Sequence, residues 1–156
     1  MGVSGAGKTT IGFLLANKID GLFIDGDDLH SQANIKKMKK GTPLSDNDRW
    51  HWLGRVASVI RDHKETRPLI IACSALKQSY RQRLGEDFHL IYLKGTYMQI
   101  AKRLQKRSLQ VGENHFMPAS LLNSQLEILE EPYKAIVIDL NQSPNEITNK
   151  IIQALS

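Results

Sequence analysis

Two rhythms of hydrophobic and polar positions alternate along this chain. Thr10, Ile11, Leu14, Leu15 and Ala16 form a stripe at three- and four-residue spacing, which predicts a helix close to the N-terminus. Gly21-Leu22-Phe23-Ile24-Asp25 is a short apolar run after a glycine, a strand that delivers Asp25 to its C-terminal edge. A helix follows at about 31–40, and Gly41-Thr42-Pro43 breaks it. Ser45-Asp46-Asn47-Asp48 offers caps for the next helix, whose buried stripe is Trp50, Leu53, Val56, Ala57 and Ile60 and which ends near His63. Further strands are predicted at 68–73, 88–93 and 135–138, and further helices at 76–84, 98–107, 119–130 and 144–155. Segment 108–117 is polar, contains Gly112 and lacks periodicity, so it reads as a lid.

Strand and helix in alternation predict an α/β fold, a parallel sheet between two helical layers. At 156 residues and 41% hydrophobic content, the chain has the length of one domain spanning 1–156.

The chemistry enters at the first turn. Gly2-Val3-Ser4-Gly5-Ala6-Gly7-Lys8-Thr9 fits the G-x-x-x-x-G-K-[ST] phosphate loop, whose glycines let backbone N–H groups curl around a β-phosphate while the lysine and hydroxyl complete the site. The following helix would aim its N-terminal amides and dipole at the same phosphates. Such a loop should follow a buried central strand, yet Met1 stands one residue before the first glycine. The expectation is therefore that roughly six to ten mostly apolar residues precede Met1 in the natural chain, matching usual strand lengths.

Composition narrows the partners. A net charge of +5 favours anionic ligands, while the lysines gathered at Lys36, Lys37, Lys39 and Lys40 read first as a solvated helix face. No basic run carries interleaved aromatics or a nucleic-acid signature, and no apolar run approaches the ~20 residues of a membrane span, so neither nucleic acid nor membrane is an expected partner. One cysteine, Cys73, excludes an intrachain disulfide and suits a reducing, cytoplasmic setting as a small buried residue.

Ligands of such sheets lie at the carboxyl ends of the strands. There the turn Asp25-Gly26-Asp27-Asp28-Leu29-His30 places three carboxylates in four positions, costly by repulsion unless a cation or hydroxyl donor shares them. Magnesium and a substrate alcohol would supply both, one carboxylate serving the metal and the other the alcohol. Asp139, at the end of the last predicted strand, competes with Asp25 for the metal, or caps a turn.

The strings Phe23-Ile-Asp-Gly-Asp-Asp-Leu-His30, Pro43-Leu-Ser-Asp-Asn-Asp-Arg49, Cys73-Ser-Ala-Leu-Lys-Gln-Ser-Tyr-Arg81, His115-Phe-Met117 and Ser124-Gln125…Leu129-Glu130 resemble those of the gluconate kinases across nearly the whole chain. The resemblance implies transfer of the ATP γ-phosphoryl group to the 6-hydroxyl of D-gluconate, on a P-loop fold similar to shikimate and nucleoside monophosphate kinases, and it leaves room for a homodimer. It implies that Gly2, Val3, Ser4, Gly5, Ala6, Gly7, Lys8, Thr9 and Thr10 cradle the nucleotide, that Thr9 and Asp25 hold Mg²⁺, and that Asp27 orients the sugar hydroxyl. Arg49, Lys77 and Arg81 would meet the gluconate carboxylate, Arg81 being equally suited to closing its own helix. His30 and His115 would hydrogen-bond sugar hydroxyls or simply pack. Arg103 and Arg107, one turn apart, would neutralise charge at the transferring phosphoryl, with Arg107 catalytic beside Lys8 and Asp27. The chain departs from the family pattern in 108–114, a longer lid than the family's. The Gly-rich turn of a shikimate kinase and the arginine-dense lid of a nucleoside monophosphate kinase are both absent from the sequence, while a non-catalytic nucleotide-binding module stands as the reading from another class.

Overall fold

Serine caps fix three helix starts. The computed structural model describes residues 1–63, 66–111 and 120–156, the side chains of 110 and 111 excepted. Its order is α1 (Lys8–Lys18), β1 (Leu22–Asp25), a 3-10 turn (Gly26–Leu29), α2 (Gln32–Lys39), α3 (Asp46–Asp62), β2 (Leu69–Ala72), α4 (Gln78–Leu84), β3 (Ile91–Lys94), α5 (Tyr97–Val111), α6 (Leu121–Ile128), β4 (Ile136–Asp139) and α7 (Pro144–Leu155). Ser31, Ser45 and Ser143 each accept a first-turn N–H of α2, α3 and α7, and Asp48 and Glu146 reach back to complete capping boxes. Such a cap contributes about 1 kcal/mol.

All pairing is parallel, as the alternation of elements requires. β1 lies against β2 with Leu22 opposite Leu69 and Asp25 opposite Ala72, and β3 lies against β4 with Ile91 opposite Ile136 and Lys94 opposite Asp139. Among the described residues the parallel strands form two two-stranded sheets. An apolar cavity of about 450 Å³, lined by Met1, Leu69, Ile71, Ile91 and Leu93 among others, separates them. Met1 takes two ladder positions along β3: its amino group donates to Ile91 O, and its carbonyl accepts from Leu93 N–H at 3.0 Å.

The larger core cluster joins Ile11 and Leu15 of α1, Leu93 and Ile138 of β3 and β4, Ile100 and Leu104 of α5, and Ile147 and Ile151 of α7. A second gathers Trp52, Leu53 and Val56 of α3 with Cys73, Tyr80 and Leu84. Cys73 is buried as expected, and burial pushes its thiol up to about 12. The stripe of α3 needs one correction: Trp50 is 38% exposed, whereas Trp52 is 1% exposed. Two residues on a helix are rotated by about 200°, so only one of these indoles can face the core.

Helix α5 corrects the lid boundary. It continues through Ser108 to Val111, because no breaker precedes Gly112, and the Ser108 hydroxyl donates to Gln105 O at 2.8 Å. The remaining predicted lid positions, His115 included, lie outside the described residues. No helix among the described residues is long and apolar enough to cross a membrane.

Candidate active site

Glycine conformation shapes the phosphate loop. Gly5 and Gly7 adopt φ of 84° and 91°, left-handed values that L side chains rarely take, and a Cβ on Gly5 would stand 2.8 Å from Leu104. Gly7 is the N-cap of α1 and brings no side-chain acceptor, so the first-turn amides of Lys8, Thr9 and Thr10 point outward unclaimed by a cap. Lys8 Nζ donates to Val3 O at 3.2 Å, inside its own loop.

β1 ends where the loop can reach it. Thr9 Oγ1 donates to Asp25 Oδ2 at 2.6 Å, while Asp25 Oδ1 accepts the Asp27 N–H at 3.0 Å as cap of the 3-10 turn. Gly26 admits no side chain, since its Cβ would fall 2.6 Å from Ala72 O. The structure thus brings together Lys8, Thr9, Asp25 and Asp27. Burial chiefly raises the Asp27 carboxyl above its ordinary value, Lys8 opposes the shift, and Asp25 and Asp28 reinforce it. Thr9 and Asp25 present hard oxygen donors at hydrogen-bond separation beside the loop lysine, a donor set that fits Mg²⁺. Among the described residues no three His, Cys, Asp or Glu converge, so a magnesium ion here would draw its other ligands from phosphate and water.

On one side of the loop, a cavity of about 240 Å³ is lined by residues including Gly5, Gly7, Thr10, Arg103, Arg107, Gln142 and Pro144, the first residue of α7. Arg103 donates to Leu140 O at 2.8 Å and Ala6 O at 3.4 Å, and Arg107 Nη2 lies 3.5 Å from Ser4 Oγ. Burial lowers the Arg107 guanidinium, with Asp27 opposing. Both arginines therefore face the phosphate loop, as one-turn spacing predicts. Asp139 accepts the Asn141 N–H at 2.7 Å and caps its own turn.

On the other side lies a narrow cavity of about 20 Å³, lined by residues including His30, Arg49, Trp52, Ser74 and Gln125. His30 stacks on Trp52 at 4.3 Å between centroids, and its Nδ1 lies 3.3 Å from Asn34 Nδ2. Burial, then Arg49 and Arg55, lowers its pKa to about 4, so the imidazole is neutral near pH 7. Arg49 donates to Leu44 O and, at 3.4 Å, to the Tyr80 hydroxyl. The Tyr80 ring carries Arg49 at 5.6 Å and Lys77 at 5.5 Å from its centroid, both within cation–π range. Its hydroxyl donates to Asp46, which also receives Lys77 at 2.9 Å. That ion pair chiefly holds the Asp46 carboxyl below its usual range.

Arg81 is turned elsewhere. It donates to Ala75 O at 3.1 Å and Leu76 O at 2.9 Å, strapping a turn in which Ala75 has a left-handed φ of 41°. Residue spacing did not single out Asp46, Tyr80 or Gln125. For Gln125 a signal existed: it stands four positions after Leu121 on the buried side of α6, a polar residue on an apolar face.

A parallel α/β scaffold with a phosphate loop, an acidic turn at the next strand end and two arginines over the loop defines a P-loop phosphotransferase. The family model described as Shikimate kinase matches residues 4–156. The thermosensitive gluconokinase of Escherichia coli is 42% identical over 163 residues, covering 99% of this chain and 84% of the relative. Among solved structures, a sugar kinase from Janibacter matches with a TM-score of 0.88 at 42% identity, covering 99% of this chain and 91% of that one. A gluconokinase from Sinorhizobium meliloti matches with a TM-score of 0.83 at 38% identity, covering 99% and 88%. The chain belongs to the shikimate kinase family and, within it, to the gluconokinases.

Proposed function

We propose that the protein transfers the γ-phosphoryl group of ATP to the 6-hydroxyl of D-gluconate. One observation carries the reading on the structural side: the phosphate loop lines one cavity together with Arg103 and Arg107 and is bonded at Ser4 to Gln125, which lines a second with His30 and Arg49, and the half-buried Asp27 stands on the acidic turn. Its relatives called gluconokinases support the choice of acceptor. ATP and Mg²⁺ are the cofactors, D-gluconate the small-molecule partner and the cytoplasm the setting in this reading.

Lys8 and the amides of Gly5 to Thr10 hold the phosphates, and Gly2, Val3 and Ser4 shape the loop behind them. Magnesium, held by Thr9 and Asp25, would draw charge from the β- and γ-oxygens. Arg103 and Arg107 offset charge on the nucleotide side. Asp27 accepts a hydrogen bond from the 6-hydroxyl and fixes the line of attack; a loose transition state needs little from a base, so positioning is the larger contribution. Arg49 and Lys77, paired against Tyr80, meet the carboxylate, and neutral His30 bonds a hydroxyl. Arg81 acts through the turn it straps, and His115 is proposed as a further hydroxyl partner on the strength of the family motif alone. A coupled ADP-release assay across gluconate, shikimate, glycerate and nucleoside monophosphates tests the reading. Gluconate-dependent release is expected, and turnover with only another acceptor, or with none, overturns it.

A further inference from the structure

Gln125 touches both halves of the site. Its Oε1 accepts the Ser4 N–H at 2.6 Å, a buried bond joining α6 to the phosphate loop across 121 positions of sequence. Only the amide oxygen can accept from a backbone N–H, so the side chain's orientation is fixed and its nitrogen points the other way. Gln125 is 6% exposed and lines the cavity shared by His30, Arg49, Trp52 and Ser74. No hydrogen bond from its Nε2 to a described residue is present, and among the described residues no fully buried side-chain nitrogen or oxygen lacks a partner. The Nε2 donor is therefore not sealed into packing, and the narrow space that Gln125 lines has room for about one water-sized polar group.

We infer that Gln125 contacts the acceptor through Nε2 while its Oε1 holds Ser4, so that one amide ties the position of the polyhydroxy acid to the shape of the phosphate loop. This inference rests on the proposed kinase reading for its acceptor half and on geometry alone for its loop half. An oxygen of the acceptor, hydroxyl or carboxylate, completes the hydrogen bonding of the amide. Acceptor bound at Nε2 then stiffens the amide of Ser4, the residue whose hydroxyl Arg107 Nη2 approaches.

Two variants separate the halves. Gln125→Glu keeps an oxygen for Ser4 and loses the donor; Gln125→Met keeps length and loses both groups. Amide hydrogen exchange of the full chain without nucleotide reads the Ser4 bond directly, calorimetry with a non-hydrolysable ATP analogue reads the loop, and the ADP assay reads the acceptor. In Gln125→Met, Ser4 exchange should accelerate and analogue affinity fall by about tenfold or more, while Gln125→Glu leaves both within about twofold of the parent. Both variants should raise the KM for gluconate by about tenfold or more, with a smaller change in kcat. Unchanged Ser4 exchange in Gln125→Met overturns the loop half, and a gluconate KM within about twofold of the parent in both variants overturns the acceptor half. A parent enzyme inactive on gluconate instead refutes the functional reading, and the Ser4 exchange result still decides the loop half.

Discussion

Trp52 donates from its indole Nε1 to the carbonyl oxygen of Gly26 at 2.6 Å, tying α3 to the turn that carries Asp25 and Asp27. The bond is buried, and the other face of the region is closed by the His30 stack. Trp52→Phe preserves an aromatic ring but leaves a buried carbonyl without its donor, which costs about 1–3 kcal/mol. Urea unfolding of parent and variant should show that loss, and turnover should fall with it because the acidic turn is no longer pinned. A variant of parental stability would remove the bond from the account of the site.

Asp27 should trade stability for activity. Its folded carboxyl lies above the unfolded value of 3.8, so between those values the folded state binds more protons than the unfolded one. Stability from this group is accordingly present at low pH and declines as pH rises through that interval. Asp27→Asn should match or exceed the parent in stability at neutral pH and show a flatter pH–stability curve, while kcat drops by more than about tenfold. Rates within about tenfold of the parent would contradict a central role for the carboxylate.

His30 titrates in the opposite sense. With a folded pKa of about 4 against 6.5 unfolded, its stabilising contribution is complete above 6.5 and is lost as pH falls toward 4. The loss is on the order of 2–3 kcal/mol. Denaturant unfolding of parent and His30→Gln at pH 7 and pH 4.5 checks it: the gap between the two proteins should narrow at the lower pH.

Lys8 carries the nucleotide half. Lys8→Met removes a charge whose hydrogen bond among the described residues goes to the Val3 carbonyl, so thermal unfolding should change little. Phosphoryl transfer should fall by about 10²–10³, the usual effect of deleting one electrostatic donor in such a site. Preserved turnover with intact folding would place the phosphates elsewhere.

Arg49 and Lys77 are expected to read the acceptor's carboxylate. Arg49→Met and Lys77→Met should each raise the KM for gluconate with a lesser effect on the KM for ATP, and initial-rate kinetics with both substrates varied distinguish the two. Arg49 should matter more, because it lines the narrow cavity, whereas Lys77 is already committed to Asp46 at 2.9 Å.

The loop of residues 2–9 and the acidic turn were legible because both depend on local spacing: glycine at special φ, a lysine at a helix start, an aspartate ending an apolar run. Arg103 and Arg107 were legible for the same reason, since one helical turn fixes their common face. Trp50 and Trp52 were not, because the α3 stripe tolerates either and only the distant Gly26 carbonyl decides. Arg81 was ambiguous by charge alone; the Ala75 and Leu76 carbonyls it meets become acceptors only after the chain has turned. Gln125 and Ser4 lie too far apart in sequence for spacing to join them.

The Arg81 strap on Ala75 has one more consequence. A left-handed alanine held at its carbonyl by a guanidinium cannot relax outward to admit a bulkier guest without forfeiting two charge-assisted bonds. The loop from Ser74 to Leu76, two residues that line the narrow cavity, is therefore stiff, and adjustment to a differently shaped acceptor falls to side chains such as Arg49 and Gln125 on the same lining.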